Sequence, residues 1–447
     1  MPSFTPHSSS SSSSSQHNNH NKKDLSSLLA AAAPFLRGEL EAVDPSLPAL
    51  LSTLRSVGAG ECWHKHGTFL AHLSDVYRIL KLWSAPDDVA LCGLYHSAYS
   101  NSYVNLAIFD PSTSRERVKS LLGPSAERLV HLFCVVNRQT LIHDDLLFHY
   151  SDAELADHLA LSGSSLANAC KLDSGDSGAF DASESRGGRR YGRSCPRRES
   201  RSSTSGRGRT SSCRGGSCGR VRLMTMADFS DQLFGFQDDL FDNDNGKLEF
   251  AGNSPATALW PGNGKPGLWL NSISRMGALY TLILREEELY LAERKRTEEE
   301  AAVIGTERDE GLPMAIPPVF RRLHEDLDAG EQVAARDLYW EAVCGGVGKR
   351  EGLEKVEGLL RESIGRKPLR RGALRRFGAG LPGDGEVRGG REGGRGRVRL
   401  LLEWGSGWDK RVSWEGWVAW GRVLLMKARE KDWPQTSWGI LNLGLVR

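Results

Sequence analysis

The chain has 447 residues, of which 39% are apolar and 26% charged, proportions that exclude a fibrous or wholly disordered polymer and leave room for two or three domains. Its 58 basic and 56 acidic residues nearly cancel to +2, which excludes an overall electrostatic bias toward nucleic acid or membrane. No apolar run reaches the roughly 18 residues a spanning helix needs, and no basic stretch precedes an apolar one as in a secretory signal, so the expectation is a cytoplasmic protein without a membrane partner.

Residues 1–23, rich in Ser, His and Asn, read as a disordered tail, with organelle targeting disfavoured by the lack of arginine and of amphipathic period. From residue 24 to 172 the sequence reads as a series of short helices. Phe69, Leu73, Val76, Leu80 and Trp83 recur every three or four positions and predict a helix ending before Pro86. Pro86 then opens a helix through Val89, Cys92 and His96, with Asp87 and Asp88 at its positive end. Pro124 opens another, burying Leu129, Phe133 and Val136, and Ser151 with Glu154 forms a capping box ahead of Leu155. Cys62, Cys92, Cys134, Cys170 and Cys344 stand singly and read as small hydrophobes rather than as disulfide partners. Cys195, Cys213 and Cys218 cluster, but without a histidine or a CxxC pair they do not spell a zinc site.

Between Arg186 and Arg220, 27 of 35 residues are Arg, Gly or Ser, too polar to offset the entropy of ordering. Leu223 to Phe234 (LMTMADFSDQLF) restores amphipathic helix. A Pro/Gly loop leads to a long helix from about Ser272 to Glu300, and helix returns from Pro317 to Ile364. A second break spans Leu369 to Arg399, where 19 of 31 residues are Gly or Arg. Seven of the twelve tryptophans follow it, in a pattern of paired helices resembling tetratricopeptide hairpins. The two breaks have three readings: an Arg-rich RNA-binding segment, a flexible linker, or translated non-coding DNA. The second break falls inside a helical array, where a long structureless insertion is out of place, and this favours the last reading and disfavours nucleic acid. Transcript and peptide sequencing through both stretches tests it.

The stretch from His66 to Ser100 (HGTFLAHLSDVYRILKLWSAPDDVALCGLYHSAYS) carries the chemistry. It resembles the opening of HD-superfamily phosphohydrolase domains of the Rel/SpoT kind, in which one helix begins with a histidine and a second delivers a histidine and an aspartate. His72 and His96 match those histidines. Leu121 to Val136 is similar to the helix that follows, and Ala227-Asp228 to the helix that supplies the last ligand. The resemblance implies an all-α, HD-like helical bundle whose His72, His96 and Asp228 hold one divalent ion, Mn, Fe or Zn. A phosphorylated small molecule or nucleotide would be its substrate. Two imidazoles and a carboxylate suit such ions and leave positions for water and phosphate. Ser97 stands where the superfamily has aspartate, so a second ion loses its ligand. The acidic pair that Rel-type hydrolases carry downstream is absent, which argues against guanosine-tetraphosphate hydrolysis, and Ser97 is left to donate a hydrogen bond to water or substrate.

The bland reading makes His72 and His96 core histidines satisfied by neighbouring carbonyls, and Asp228 a surface carboxylate. His64 and His66 are candidates for an extra ligand, more often solvated. His143-Asp144 is a literal HD pair in the wrong helix. The chain also resembles uncharacterised plant and bacterial proteins with the pattern Trp83 to Val89 followed by Gly93 to Ser97, in which serine after the histidine is usual. The expected organisation is a tail (1–23), an HD-like domain (24–172), an Arg/Gly/Ser segment (173–222), completion of that domain with a long helix (223–310), a helical hairpin region (311–368), a Gly/Arg segment (369–399) and Trp-rich helices (400–447). The alternative to an enzyme is a helical scaffold that binds protein partners through exposed Trp404, Trp408 or Trp417.

Overall fold

The computed structural model describes residues 24–64, 67–99, 108–109, 115–135, 152–173, 350–366, 387–407 and 412–430. It also describes helical positions at 220–221, 223–228, 230–231, 277–282, 284–285, 288–289, 320, 334–335, 337–338 and 341–342. Helix makes up 82% of this, beside one two-stranded hairpin, so the class is all-α. Among the described residues no helix is long and apolar enough to cross a membrane.

In chain order the elements are α1 (Leu25–Arg37), α2 (Leu40–Val43), α3 (Leu47–Ser56), strands β1 (Trp63–His64) and β2 (Gly67–Thr68), α4 (Phe69–Leu82), α5 (Asp87–Tyr95), α6 (Arg115–Leu122), α7 (Pro124–Val135), α8 (Asp152–Asp173), α9 (Arg350–Arg366), α10 (Val387–Trp404) and α11 (Trp414–Glu430). The described helical positions within 220–231 lie between α8 and α9 in the chain and supply Asp228. The helix expected through His96 stops at Tyr95, leaving His96 as its C-cap still in helical conformation.

The start of α4 is fixed by Thr68, whose hydroxyl accepts the Ala71 N–H at 3.1 Å. This satisfies one of the donors orphaned at a helix N-terminus. The β1–β2 hairpin, with His64 opposite Gly67, returns the chain so that His64 lies beside the first turn of α4. Farther along α4, Leu73, Val76, Ile79 and Leu80 are wholly buried, as the 3.6-residue period requires. Tyr95 ties α5 to α3 by donating to the Leu50 carbonyl at 2.9 Å. Asp88, in the first turn of α5, accepts from Ser125 at 2.8 Å and pairs with Arg220 at 2.9 Å. One carboxylate thereby anchors the beginnings of α5, α7 and the 220–231 helix.

The C-terminal helices are not a separate unit. Trp83 at the end of α4 donates its indole N–H to the Glu403 carbonyl at 3.0 Å and packs against Phe320 and Trp404. Leu400 and Trp404 therefore belong to the core that α3 to α8 enclose. A second core joins Leu28 and Ala32 of α1 to Val398, Leu401, Trp414, Val418 and Leu424. Trp404 and Trp417 are buried at 2% and 8% exposure, which removes the exposed indoles on which a partner-binding tail would rest; Trp408 lies outside the described residues.

The Gly/Arg stretch also departs from expectation, because residues 387–399 form the first two thirds of α10. A glycine on each helix sits at their contact: a Cβ on Gly394 of α10 would come within 3.3 Å of Leu425, and one on Gly421 of α11 within 3.1 Å of Val398. The missing side chains let α10 and α11 approach closely, which outweighs the helix penalty of glycine, about 1 kcal/mol per residue. At Gly405 the chain takes φ +65°, the left-handed geometry that ends helices. There it lies so near α4 that a Cβ would meet Leu82 at 2.9 Å. The first Arg-rich stretch, apart from the helical Arg220, lies outside the described residues, as do His66, His143 and Asp144.

Candidate metal centre

Three elements bring the site together. His72 comes from the first turns of α4, His96 from the end of α5 and Asp228 from the 220–231 helix. All three are buried, at 5%, 1% and 7% exposure. One ligand atom from each lies within 4.8 Å of the others. The three residues expected as ligands thus converge, which neither the core-histidine nor the surface-carboxylate reading requires.

The tautomers follow from the partners. His96 Nδ1 is 2.7 Å from the Gly93 carbonyl oxygen, and since a carbonyl only accepts, Nδ1 carries the proton. In the neutral ring Nε2 then turns a lone pair toward Asp228 Oδ1, 3.9 Å away. His72 Nδ1 lies 2.7 Å from Asp231 Oδ2, while its Nε2 is 3.2 Å from the same Asp228 oxygen. A neutral His72 that donates to Asp231 would add a second lone pair facing that carboxylate. Three electron-rich atoms pointing at one place repel each other unless a positive charge stands among them.

In the protein alone that charge is a proton. Burial pushes the His72 imidazole down, but hydrogen bonds to Asp228 and Asp231, joined by their charges, overcome it and raise the group to about 9. The same atoms suit a divalent ion, with two imidazole nitrogens and one carboxylate oxygen as donors.

Asp231 is the residue that sequence reasoning missed. It follows Asp228 by three positions and so shares its helix face. It is 2% exposed and its carboxylate holds the His72 ring in place through Nδ1. His64, expected from the sequence to be solvated, is half-buried, and its ring stands 4.9 Å from that of His72 and 5.4 Å from that of Phe69. Ser97 is buried directly after His96, and its carbonyl accepts the Ile108 N–H at 2.9 Å. Phe133 of α7 closes the far side, with its ring 5.5 Å from that of His96, and the Cys134 thiol donates to the His96 carbonyl at 3.2 Å.

The pattern of Gly93 to Ser97 becomes intelligible here. Gly93 is the contact point of α5 with α4 and with Met224 of the 220–231 helix, and a Cβ there would meet Leu80 at 2.5 Å. Leu94 is wholly buried, Tyr95 holds α3 and His96 faces the cluster. Each position has a separate mechanical task.

Residues 53–138 match the model of a domain of unknown function (DUF6817); this stretch contains His72, His96 and the helices that carry them, and it ends before Asp228. No curated protein and no solved structure matches the chain.

Proposed function

We propose that the chain holds one divalent cation, Mn, Fe or Zn, through His72 Nε2, His96 Nε2 and Asp228 Oδ1, and uses it in HD-like hydrolysis of a phosphorylated small molecule. The supporting observation is the convergence of two imidazole nitrogens and a carboxylate oxygen on a single buried point. Such an ion, when bound, lowers the pKa of a water and polarises a phosphoryl oxygen. The protein's own contribution is orientation. Asp231 fixes the His72 ring through Nδ1, the Gly93 carbonyl does the same for His96, and burial keeps competing water away. Ser97 supplies no charge for a second ion, which suits a one-ion centre, and its hydroxyl is assigned to a hydrogen bond with water or substrate.

Elemental analysis tests this on the full chain purified without chelator and offered Mn²⁺, Fe²⁺ and Zn²⁺ in turn. One ion per chain, with p-nitrophenyl phosphate hydrolysis that chelation removes and the ion restores, is the expected result. A chain that takes up none of the three overturns the reading. Asp231→Asn keeps the ligands and loses the charge that orients His72. It is expected to lower cation affinity about 10- to 100-fold while the stoichiometry at saturation stays at one, as a calorimetric titration would show.

A further inference from the structure

The β1–β2 hairpin brings a third imidazole to the centre. His64 stands on β1 opposite Gly67. The Phe69 N–H donates to the Cys62 carbonyl at 2.8 Å, and the Leu70 N–H to the Ala59 carbonyl at 2.9 Å. These bonds join the hairpin to the first turn of α4 and hold the His64 side chain next to His72. Resting on the cation-centre reading, we propose that His64 is a fourth protein ligand to the same ion, which makes the centre a three-histidine, one-aspartate site selective for zinc.

Ring spacing carries the assignment. Two imidazoles bound to one tetrahedral zinc by Zn–N bonds of about 2.0–2.1 Å have ring centres about 5 Å apart. The His72 and His96 rings are 5.2 Å apart, and those of His64 and His72 are 4.9 Å apart. His64 therefore has the spacing of a co-ligand to His72. It is half-buried, and its Nε2 is shielded from solvent. Its nitrogens stand outside the 4.8 Å span of the other three donors, so ligation turns the ring about χ1 and χ2. His64, Gly67 and His72 all line a cleft of about 450 Å³, which gives the ring space to turn.

The donor set then decides the ion. Imidazole suits zinc, whereas manganese favours carboxylate, carbonyl and water. A tetrahedral zinc held by His72, His96 and Asp228 has one position left for a donor. A neutral imidazole fills it without adding negative charge beside Asp228 and Asp231, which are both buried. Four protein ligands still admit a substrate oxygen, because zinc accepts a fifth.

The test uses the full chain purified without chelator. Zn²⁺ and Mn²⁺ affinities are measured by calorimetric titration, and the visible absorption of the Co²⁺-loaded chain reports the number and kind of donors. His64→Phe keeps an aromatic ring against Phe69 and His72 but offers no donor. It should still take one ion per chain, bind Zn²⁺ at least tenfold more weakly, leave Mn²⁺ affinity nearly unchanged and shift the Co²⁺ bands. His64→Gly should show the same loss, and added imidazole should restore the original Co²⁺ spectrum, a rescue that a packing role would not produce. If His64→Phe matches the unmodified chain in Zn²⁺ affinity and Co²⁺ spectrum, or if imidazole leaves the His64→Gly spectrum unaltered, the fourth ligand is rejected and the three-ligand centre stands. A chain that takes up none of the three ions rejects the centre and the fourth ligand with it.

Discussion

Cation affinity is expected to rise about tenfold per pH unit up to about pH 9, because the ion must displace the His72 proton. The metal-free protein should show the opposite trend. His72 stands at 6.5 without its surroundings and at about 9 in the fold, so the folded state binds the proton more tightly than the unfolded one. Its stabilising effect is complete below pH 6.5 and is lost as the pH climbs through 9. For this almost wholly buried ring the shift corresponds to about 3 kcal/mol. Urea denaturation of chelated protein should therefore show falling stability across that window, and saturating Mn²⁺ should reverse the slope. In His72→Ala both trends vanish. Cation affinity also falls by more than about a hundredfold, since one of three ligands carries about 3 kcal/mol of a typical site's binding energy. A flat affinity profile between pH 6.5 and 9 in the unmodified chain would contradict the assignment of His72 Nε2 as both proton and cation site.

The parts of the site visible in the sequence are those governed by short-range periodicity. His72 shares the buried stripe of α4 with Val76 and Ile79, His96 continues the stripe of Val89 and Cys92, and both follow from the 3.6-residue repeat. Asp228 was found through the resemblance of its helix, but Asp231 was not, although a second acid three positions later on an amphipathic helix would land on the same buried face. The signal was present in ADFSD and was outweighed by the habit of placing carboxylates in solvent. Other features left no local trace. Arg78 meets Glu415 across 337 positions, and Trp83 meets Glu403 across 320. Neither pairing can be read from helix periodicity, so the packing of the tryptophan-rich end against α4 left no local trace in the sequence. In the second Gly/Arg stretch, composition misled because glycines that weaken a lone helix also let α10 and α11 come together, and tertiary packing decided the outcome.

The largest effect of a single methyl group is expected at Gly93. Gly93→Ala would put a Cβ 2.5 Å from Leu80 Cδ1, 3.2 Å from Val76 Cγ1 and 3.4 Å from Met224 Sδ. The first contact is with the end of a flexible chain, yet Leu80 and Val76 are both wholly buried and have little room to retreat. Overpacking of this sort costs about 1–3 kcal/mol. The strain falls where α4, α5 and the 220–231 helix meet, one helical turn or so from each ligand. Relief by separating the helices would spread His72, His96 and Asp228 beyond a common ion and move the carbonyl that orients His96. The variant should unfold at lower denaturant and lose most of its cation affinity together, and added Mn²⁺ should rescue it less than it stabilises the unmodified chain. Gly358→Ala provides the contrast. Nothing lies within 4 Å of a Cβ at that exposed position in α9, so the exchange should stabilise by about 0.5–1 kcal/mol and leave the ion untouched. Equal and small effects from both substitutions would mean that the three helices are not pressed together beneath the site, and the converging geometry would lose its mechanical basis.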